Sequence, residues 1–264
     1  MAEKTEMQFI DSHAHIYLPA FEKDLEDVIR TAKEAGISKI FMPNVDTETI
    51  EAMLEAASRY PGYCIPMMGL HPCSVTGEYK KALDITYDWL QKRPFAAIGE
   101  IGLDLYWDKS YYKEQLEVLN IQLDWAVELG LPVVLHCRET MQDMLEIIEK
   151  RVNGGRLNGV FHCFTGTVEE ARRAVDTGFY LGIGGVATFK NGGLDGVLQE
   201  TSLERMLLET DSPYLTPVPY RGKRNDPSKL PLIADKIARV KNCSVEEIAE
   251  VCTGNTLKLF NQWE

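Results

Sequence analysis

The chain has 264 residues, 45% of them hydrophobic, and a formal charge of −12 at pH 7. That length is enough for one α/β barrel or two small domains, and the acidic balance argues against a broad basic surface for duplex nucleic acid. A polyanionic partner would need positive charge at one restricted place, such as metal ions with a few arginines.

The sequence has no run of eighteen uncharged apolar residues, and no apolar stretch follows the charged segment Met1–Gln8. Neither a membrane span nor a secretory signal is therefore expected. The six cysteines include no C-x-x-C pair, and a chain of this length does not need disulfides. These features predict a cytoplasmic protein without membrane association, and no obligate protein partner is evident.

Eight short apolar, β-branched runs alternate with longer helical patterns along the chain, which is typical of βα units and a parallel sheet. Amphipathic stretches such as Phe21–Ala35 predict the connecting helices, and Thr167 with Glu170 and Ser244 with Glu247 fit capping boxes. The predicted strands are Met7–Asp11, Lys39–Met42, Tyr63–Met68, Ala96–Glu100, Pro132–His136, Gly159–His162, Phe179–Ile183 and Met206–Glu209.

Eight such units in a chain of this length predict a TIM (β/α)8 barrel. The alternative, an open doubly wound sheet, would carry a glycine-rich fingerprint after its first strand. Here the first strand ends instead in Asp11-Ser12-His13-Ala14-His15. Composition does not shift and no linker-like tract occurs, so we interpret residues 1–264 as a single domain.

Potential metal ligands recur at matching places in this repeat. All five histidines lie at or just beyond the end of a predicted strand, Glu100 ends the fourth strand, and Asp211 follows the eighth. The carboxyl ends of barrel strands meet at one rim, so residues far apart in sequence should converge there. Imidazoles and carboxylates suit zinc, manganese or iron, and two metals sharing a carboxylate fit this many ligands. The predicted ligands are His13, His15, Glu100, His136, His162 and Asp211.

Two residues near these ligands are candidates for substrate binding. His71 precedes Pro72, so it could ligate a metal, contact the substrate or simply serve a turn. Arg138 offers a fork of donors that matches phosphate oxygens. Its alternative role is a salt bridge with Glu139 or Asp143 on the following helix.

The compact basic cluster of Arg221, Lys223 and Arg224 follows the Asp211 strand. It could bind substrate, order its loop or simply be solvated, and we favour the first two. Three aromatic residues past strand ends could stack a base or pack the barrel lip: Tyr17, Trp107 and Phe164.

Cys137 and Cys163 each follow a predicted histidine ligand, but strand alternation should point both away from the barrel axis. We therefore expect them to be small core residues rather than ligands. Asp104 could orient a ligand or an arginine.

Six ordered motifs resemble the TatD-type metal-dependent deoxyribonucleases of the amidohydrolase superfamily. They are D-S-H-A-H (11–15), G-L-H-P (69–72), G-E-I-G-L-D (99–104), L-H-C-R (135–138), H-C-F-T-G (162–166) and E-T-D-S-P-Y-L (209–215). The basic segment P-Y-R-G-K-R-N (219–225) is also similar to that family.

The resemblance implies a distorted TIM barrel with two divalent cations, magnesium, manganese or zinc. His13, His15 and Asp211 would hold one cation and His136 and His162 the other, with Glu100 bridging them where some superfamily members have a carboxylated lysine. Glu100 and Asp211 would be the catalytic residues, because a metal-bound aspartate can also accept the proton of the attacking water. His71, Arg138, Arg221 and Arg224 are the predicted substrate-binding residues.

The family's activity implies a 3′-5′ exonuclease that acts on single-stranded DNA. A hydrolase of a small lactone, amide or phosphoester is the alternative, because one metal rim serves many substrates on this fold. A third possibility is a metal-binding interaction protein without catalysis, which the intact ligand set disfavours. The arginines favour an anionic substrate.

Overall fold

Strands and helices alternate as the hydrophobic pattern predicts in the computed structural model, which describes residues 7–152 and 155–263. All eight predicted strands are present, with bounds that differ by a few residues. They are β1 (Phe9–Asp11), β2 (Ile37–Pro43), β3 (Cys64–Met67), β4 (Ile98–Asp104), β5 (Val133–Arg138), β6 (Gly159–Phe161), β7 (Tyr180–Ile183) and β8 (Met206–Leu208).

Helices connect the strands and cover them from outside. They are α1 (Leu25–Glu34), α2 (Ile50–Arg59), α3 (Tyr79–Lys92), α4 (Tyr112–Leu129), α5 (Met141–Val152), α6 (Val168–Asp176), α7 (Asp195–Glu200), α8 (Leu230–Lys241) and α9 (Val245–Leu259). Thr167 and Glu170 form both bonds of the predicted capping box at α6. Ser244 accepts the Glu247 amide hydrogen at the start of α9, which is the first of the two bonds expected there.

The strands form a closed ring with two seams. Parallel ladders join β1 to β3 and β4 to β8 in sequence order. Isolated parallel bridges, Met68 with Ile98 and Ala14 with Ser212, connect β3 to β4 and β8 to β1. Isolated bridges replace continuous ladders at these two seams, and the architecture is the predicted TIM barrel.

The fourth strand differs from the prediction in a way that matters for the site. It runs on to Asp104, so Glu100 lies within the strand and does not end it. Its pairing with β5 shifts register between Ile98 and Ile101, and the Glu100 amide donates to the Asn44 carbonyl (3.1 Å) on the other side. Such an irregularity re-aims side chains, and the polarity pattern of the sequence gives no sign of it.

The barrel interior is packed below the site. One apolar cluster takes residues from around the ring of strands and from the end of α9, where Phe260 stacks on Phe41 with ring centroids 4.5 Å apart. A larger cluster lies between the strands and the helices. The interior is therefore a core and not a pore, as is usual for this fold.

No helix in the described part of the chain is long and apolar enough to cross a membrane. The single-domain and cytoplasmic assignments stay predictions.

Candidate metal centre at the carboxyl end of the barrel

A cavity of about 590 Å³ opens at the carboxyl end of the strands. Most of the predicted metal ligands line it, and His13 lies fully buried beside them. Asp211 reaches this position through a left-handed backbone conformation (φ +55°), and its amide donates to the His13 carbonyl (2.9 Å). The ligands that line the cavity are His15, Glu100, His136, His162 and Asp211.

The first group of donor atoms comes from β1, β4 and β8. The Nε2 atoms of His13 and His15 are 3.1 Å apart, and they lie 3.2 and 3.4 Å from Glu100 Oε2. Asp211 Oδ1 is 3.8 and 3.6 Å from the same nitrogens. Ligands at about 2.0–2.1 Å from a tetrahedral ion are about 3.3 Å from one another. The group therefore fits a divalent cation.

The second group surrounds the other oxygen of the same carboxylate. Glu100 Oε1 is 2.8 Å from His136 Nδ1 and 3.3 Å from His162 Nε2. His71 Nε2 also lies 3.3 Å from this oxygen. Glu100 thus presents one oxygen to each group, as a bridging carboxylate would.

Hydrogen bonds to the far nitrogens hold these imidazoles in orientation. His15 Nδ1 lies 3.1 Å from the hydroxyl of Tyr17, whose hydrogen goes to the Pro43 carbonyl (2.5 Å). The hydroxyl must then accept from Nδ1–H, which leaves a lone pair on His15 Nε2. Tyr17 therefore prepares His15 as a ligand, a role that the sequence does not indicate.

Two carboxylates do the same for the second group. Asp104 Oδ2 lies 2.8 Å from His136 Nε2, and Glu209 Oε1 lies 3.1 Å from His162 Nδ1. Glu209 also accepts the Cys163 amide hydrogen (2.5 Å). Glu209 could join His13 and His162 in a third ligand set, but these bonds favour an orienting role.

The sequence analysis offers an orienting role for Asp104 as one possibility, whereas it assigns no role to Glu209. The only available signal was its position two residues before Asp211.

Mutual electrostatics of the buried groups set different protonation states in the metal-free protein. Although burial opposes the charged form of His162, Glu209 and Glu100 raise its pKa well above the ordinary value, so a cation bound there would displace a proton. Burial opposes ionisation of Glu100, but the imidazoles of His71, His162 and His13 bring its pKa well below the usual range. Burial raises the pKa of Asp211 to about 6, and burial together with the His162 charge lowers the pKa of His13 well below its ordinary value. A neutral His13 beside an ionised Glu100 is the protonation state that ligation requires.

His71 differs from the other histidines in its tautomer. Its Nδ1 accepts the Cys73 amide hydrogen (3.0 Å), so the ring proton is on Nε2, the atom that faces the cavity. A protonated nitrogen donates a hydrogen bond and does not ligate a metal. His71, Glu100 and His136 offer atoms close enough together for a ligand set, but this tautomer favours a substrate role for His71 over ligation.

Arg138 lies at the mouth of the cavity with its guanidinium over two aromatic rings. The alternative prediction, a salt bridge from Arg138 to Glu139 or Asp143, is wrong. Glu139 pairs with Lys109, and Asp143 accepts a hydrogen bond from the Tyr112 hydroxyl. Arg138 has no acidic partner among the described residues, which leaves its donors available for a phosphate.

The two arginines of the basic cluster make different kinds of contact. Arg224 forms two hydrogen bonds to the Asp24 carboxylate (2.9 and 2.5 Å) and donates to the Ala20 carbonyl, which favours ordering of its loop. The Arg221 guanidinium stacks on Phe189, 3.5 Å from the ring centroid. Neither arginine lines the cavity, and their predicted role in substrate binding stays a prediction.

Cys137 packs against the larger apolar cluster, as expected of a core residue, although both Cys137 and Cys163 also contribute to the cavity wall. Cys163 has a φ of +45°, so strand alternation no longer holds there. Burial raises the pKa of both thiols, and no candidate ligand set in the described ranges includes a cysteine.

Comparisons with known proteins bear on this centre. A family model described as TatD related DNase matches residues 10–261. The uncharacterized metal-dependent hydrolase YabD of Bacillus subtilis (strain 168) is 38% identical over 258 residues, which cover 95% of this chain and 98% of that protein. A 3′-5′ ssDNA/RNA exonuclease TatD from Erwinia billingiae (strain Eb661) is 34% identical over 248 residues, covering 91% and 94%. The crystal structure of YjjV, a TatD homolog from Escherichia coli K12, has a TM-score of 0.90 at 31% identity and covers 97% and 98%.

Proposed function

Because this chain belongs to the TatD related DNase family and is a metal-dependent hydrolase, we propose that it hydrolyses phosphodiester bonds of single-stranded DNA from the 3′ end. The observation that carries the proposal is the position of Glu100. Its two oxygens each face a separate set of imidazoles, at 3.2–3.4 Å on one side and 2.8–3.3 Å on the other.

His13, His15 and Asp211 with one oxygen of Glu100 would hold one cation, and His136 and His162 with the other oxygen would hold a second. Magnesium, manganese and zinc all remain candidates. Bound there, the cations would supply positive charge to the phosphate oxygens and lower the pKa of a water molecule.

The protein's own groups provide the rest of the chemistry. Asp211 lines the cavity, and its carboxylate would accept a proton from an attacking water there. His71 lines the same cavity and directs Nε2–H toward Glu100 Oε1 (3.3 Å). The Arg138 guanidinium, which has no acidic partner among the described residues, offers two parallel donors to a phosphate. These groups explain how a protein of charge −12 can bind an anion.

One comparison supports the substrate and polarity, because the related Erwinia billingiae protein is named a 3′-5′ ssDNA/RNA exonuclease. Arg138 without an acidic partner favours an anionic substrate over a neutral lactone or amide.

The test uses single-stranded oligonucleotides labelled at the 5′ or the 3′ end, incubated with magnesium, manganese or zinc and with EDTA. We expect metal-dependent shortening from the 3′ end that Glu100→Gln and Asp211→Asn both abolish. Glu139→Gln is the matched control, because it removes an exposed acid next to the cavity and should retain activity.

Two results would contradict the proposal. Equal digestion by the wild type and both site variants would assign the nuclease activity to a contaminant. Hydrolysis of lactones, amides or small phosphoesters without any cleavage of DNA would favour the alternative substrate class.

A further inference from the structure

We propose that Tyr106, Trp107 and Arg138 form a shelf at the mouth of the cavity on which one unpaired base of the substrate stacks. This inference rests on the proposed function and assigns the substrate a second contact beyond the metal centre. The three residues are called the aromatic shelf below.

Trp107 is unusual in its exposure and its position. Its side chain is 72% exposed, and that of Tyr106 is 50% exposed. Single exposed aromatics are common on protein surfaces. Trp107, however, lines the same cavity as Glu100 and Asp211. A large flat ring is therefore available within reach of a molecule bound at the site.

The rings are packed against each other and against a cation. Trp107 and Tyr106 meet edge to face, with centroids 4.9 Å apart and planes at 88°. The Arg138 guanidinium carbon lies 3.6 Å from the Tyr106 centroid and 5.4 Å from that of Trp107. Cation–π attraction holds the guanidinium in place, and no acidic side chain in the described ranges neutralises it.

One carboxylate ties the aromatic shelf to the metal centre. Asp104 Oδ1 accepts the amide hydrogens of Tyr106 (2.9 Å) and Trp107 (3.4 Å), while its Oδ2 holds His136 Nε2 (2.8 Å). Gln115 fixes the Asp104 backbone through bonds of 2.9 and 3.0 Å. The loop that carries Tyr106 and Trp107 is therefore held at a fixed position relative to His136, which is needed to position a DNA strand.

The chemistry of the aromatic shelf matches a nucleotide. A nucleotide combines a flat π-face with a phosphate, and the shelf combines a flat ring with an unpaired guanidinium. A base inside a duplex has both faces covered by its neighbours, whereas an unpaired base leaves a face available for stacking. Such stacking tolerates all four bases, as an exonuclease requires. A neutral lactone or amide would leave the guanidinium without a partner.

Binding is measured first, separately from hydrolysis. The intrinsic tryptophan fluorescence of the protein is titrated with a short oligothymidylate in EDTA, and with the same backbone carrying abasic nucleotides. We expect the oligothymidylate to quench Trp107 and the abasic strand to quench it weakly. Trp107→Phe should remove the quenching while keeping a flat ring.

Kinetics follow with the same two strands and the metal that supports activity. Trp107→Ala should raise KM for the oligothymidylate by about 5- to 150-fold, the range for one base stacked on an aromatic ring. It should change neither kcat greatly nor the rate on the abasic strand, and Trp107→Phe should restore most of the affinity. Tyr87→Ala, an aromatic residue on α3 that does not line the cavity, is the matched control.

The outcomes separate the two proposals. Absence of cleavage on every strand, with base-dependent quenching present, would refute the proposed function and keep the aromatic shelf as a binding site. Cleavage with equal KM for wild type and Trp107→Ala, or equal quenching by normal and abasic strands, would refute the shelf alone.

Discussion

Glu209 offers a direct test of how the metal centre is held together. The residue is fully buried, and Oε1 accepts from His162 Nδ1 (3.1 Å) and from the Cys163 amide (2.5 Å). Its Oε2 has no hydrogen-bond partner among the described residues. Glu209→Gln keeps the shape and one acceptor oxygen but removes the negative charge that makes His162 a more basic ligand.

The size of the effect follows from this geometry. Loss of an outer partner of a metal-binding histidine lowers affinity by about 10- to 100-fold, which is about 1.4–2.7 kcal/mol of binding free energy. Glu209 is also one member of a buried pair with His162, and removal of one member of such a pair is destabilising by about 3–5 kcal/mol. The metal-free melting temperature should therefore fall as well.

The assay is a calorimetric titration of metal-free protein with zinc or manganese, combined with thermal unfolding in EDTA. Glu204→Gln is the matched control, because it removes the same charge from an exposed position just before β8. Wild-type metal affinity in Glu209→Gln, with Glu100→Gln weakened, would refute the orienting role. An unchanged melting temperature in EDTA would contradict the buried pair with His162.

Three further outcomes follow from contacts at the rim. Tyr17→Phe removes the acceptor of His15 Nδ1–H, so metal affinity should fall by about tenfold in the same titration; unchanged affinity would contradict the tautomer argument. The Arg224 pair lowers the pKa of Asp24 below its ordinary 3.8, so Asp24→Asn should cost about 0.5–1 kcal/mol in urea unfolding near pH 7. The difference in unfolding free energy between wild type and Asp24→Asn should vanish as the pH falls below 3.8, the ordinary pKa of Asp24, and through its lowered pKa in the folded protein. A difference that stays constant with pH would exclude the ion pair as its source. Asn225→Ala unpairs the buried Thr210 carbonyl and the part-buried Tyr214 carbonyl on either side of Asp211, so unfolding should show a loss of about 1–3 kcal/mol with a lower kcat; unaltered stability would contradict a role of Asn225 in holding this turn.

Much of the site could be predicted from the order of residues alone. Parallel strands in a barrel bring all their carboxyl ends to one rim, so histidines and acids at matching places in the repeat had to converge. The predicted ligands His13, His15, Glu100, His136, His162 and Asp211 do lie together, and all eight strands are present. Their periodic placement is a property of the sequence and needs no knowledge of side-chain orientation.

Tertiary structure decided which atoms face the site and what holds them. The register shift in β4 places Glu100 between the two donor groups, and the left-handed backbone at Cys163 brings a cysteine into the cavity wall. Hydrogen bonding fixes the tautomer of His71. The Arg138 guanidinium packs on aromatic rings and forms no salt bridge with an acidic side chain of the described residues. These features depend on contacts between residues distant in sequence, which local periodicity does not encode, so the sequence determined the ligands and the folded chain determined their roles.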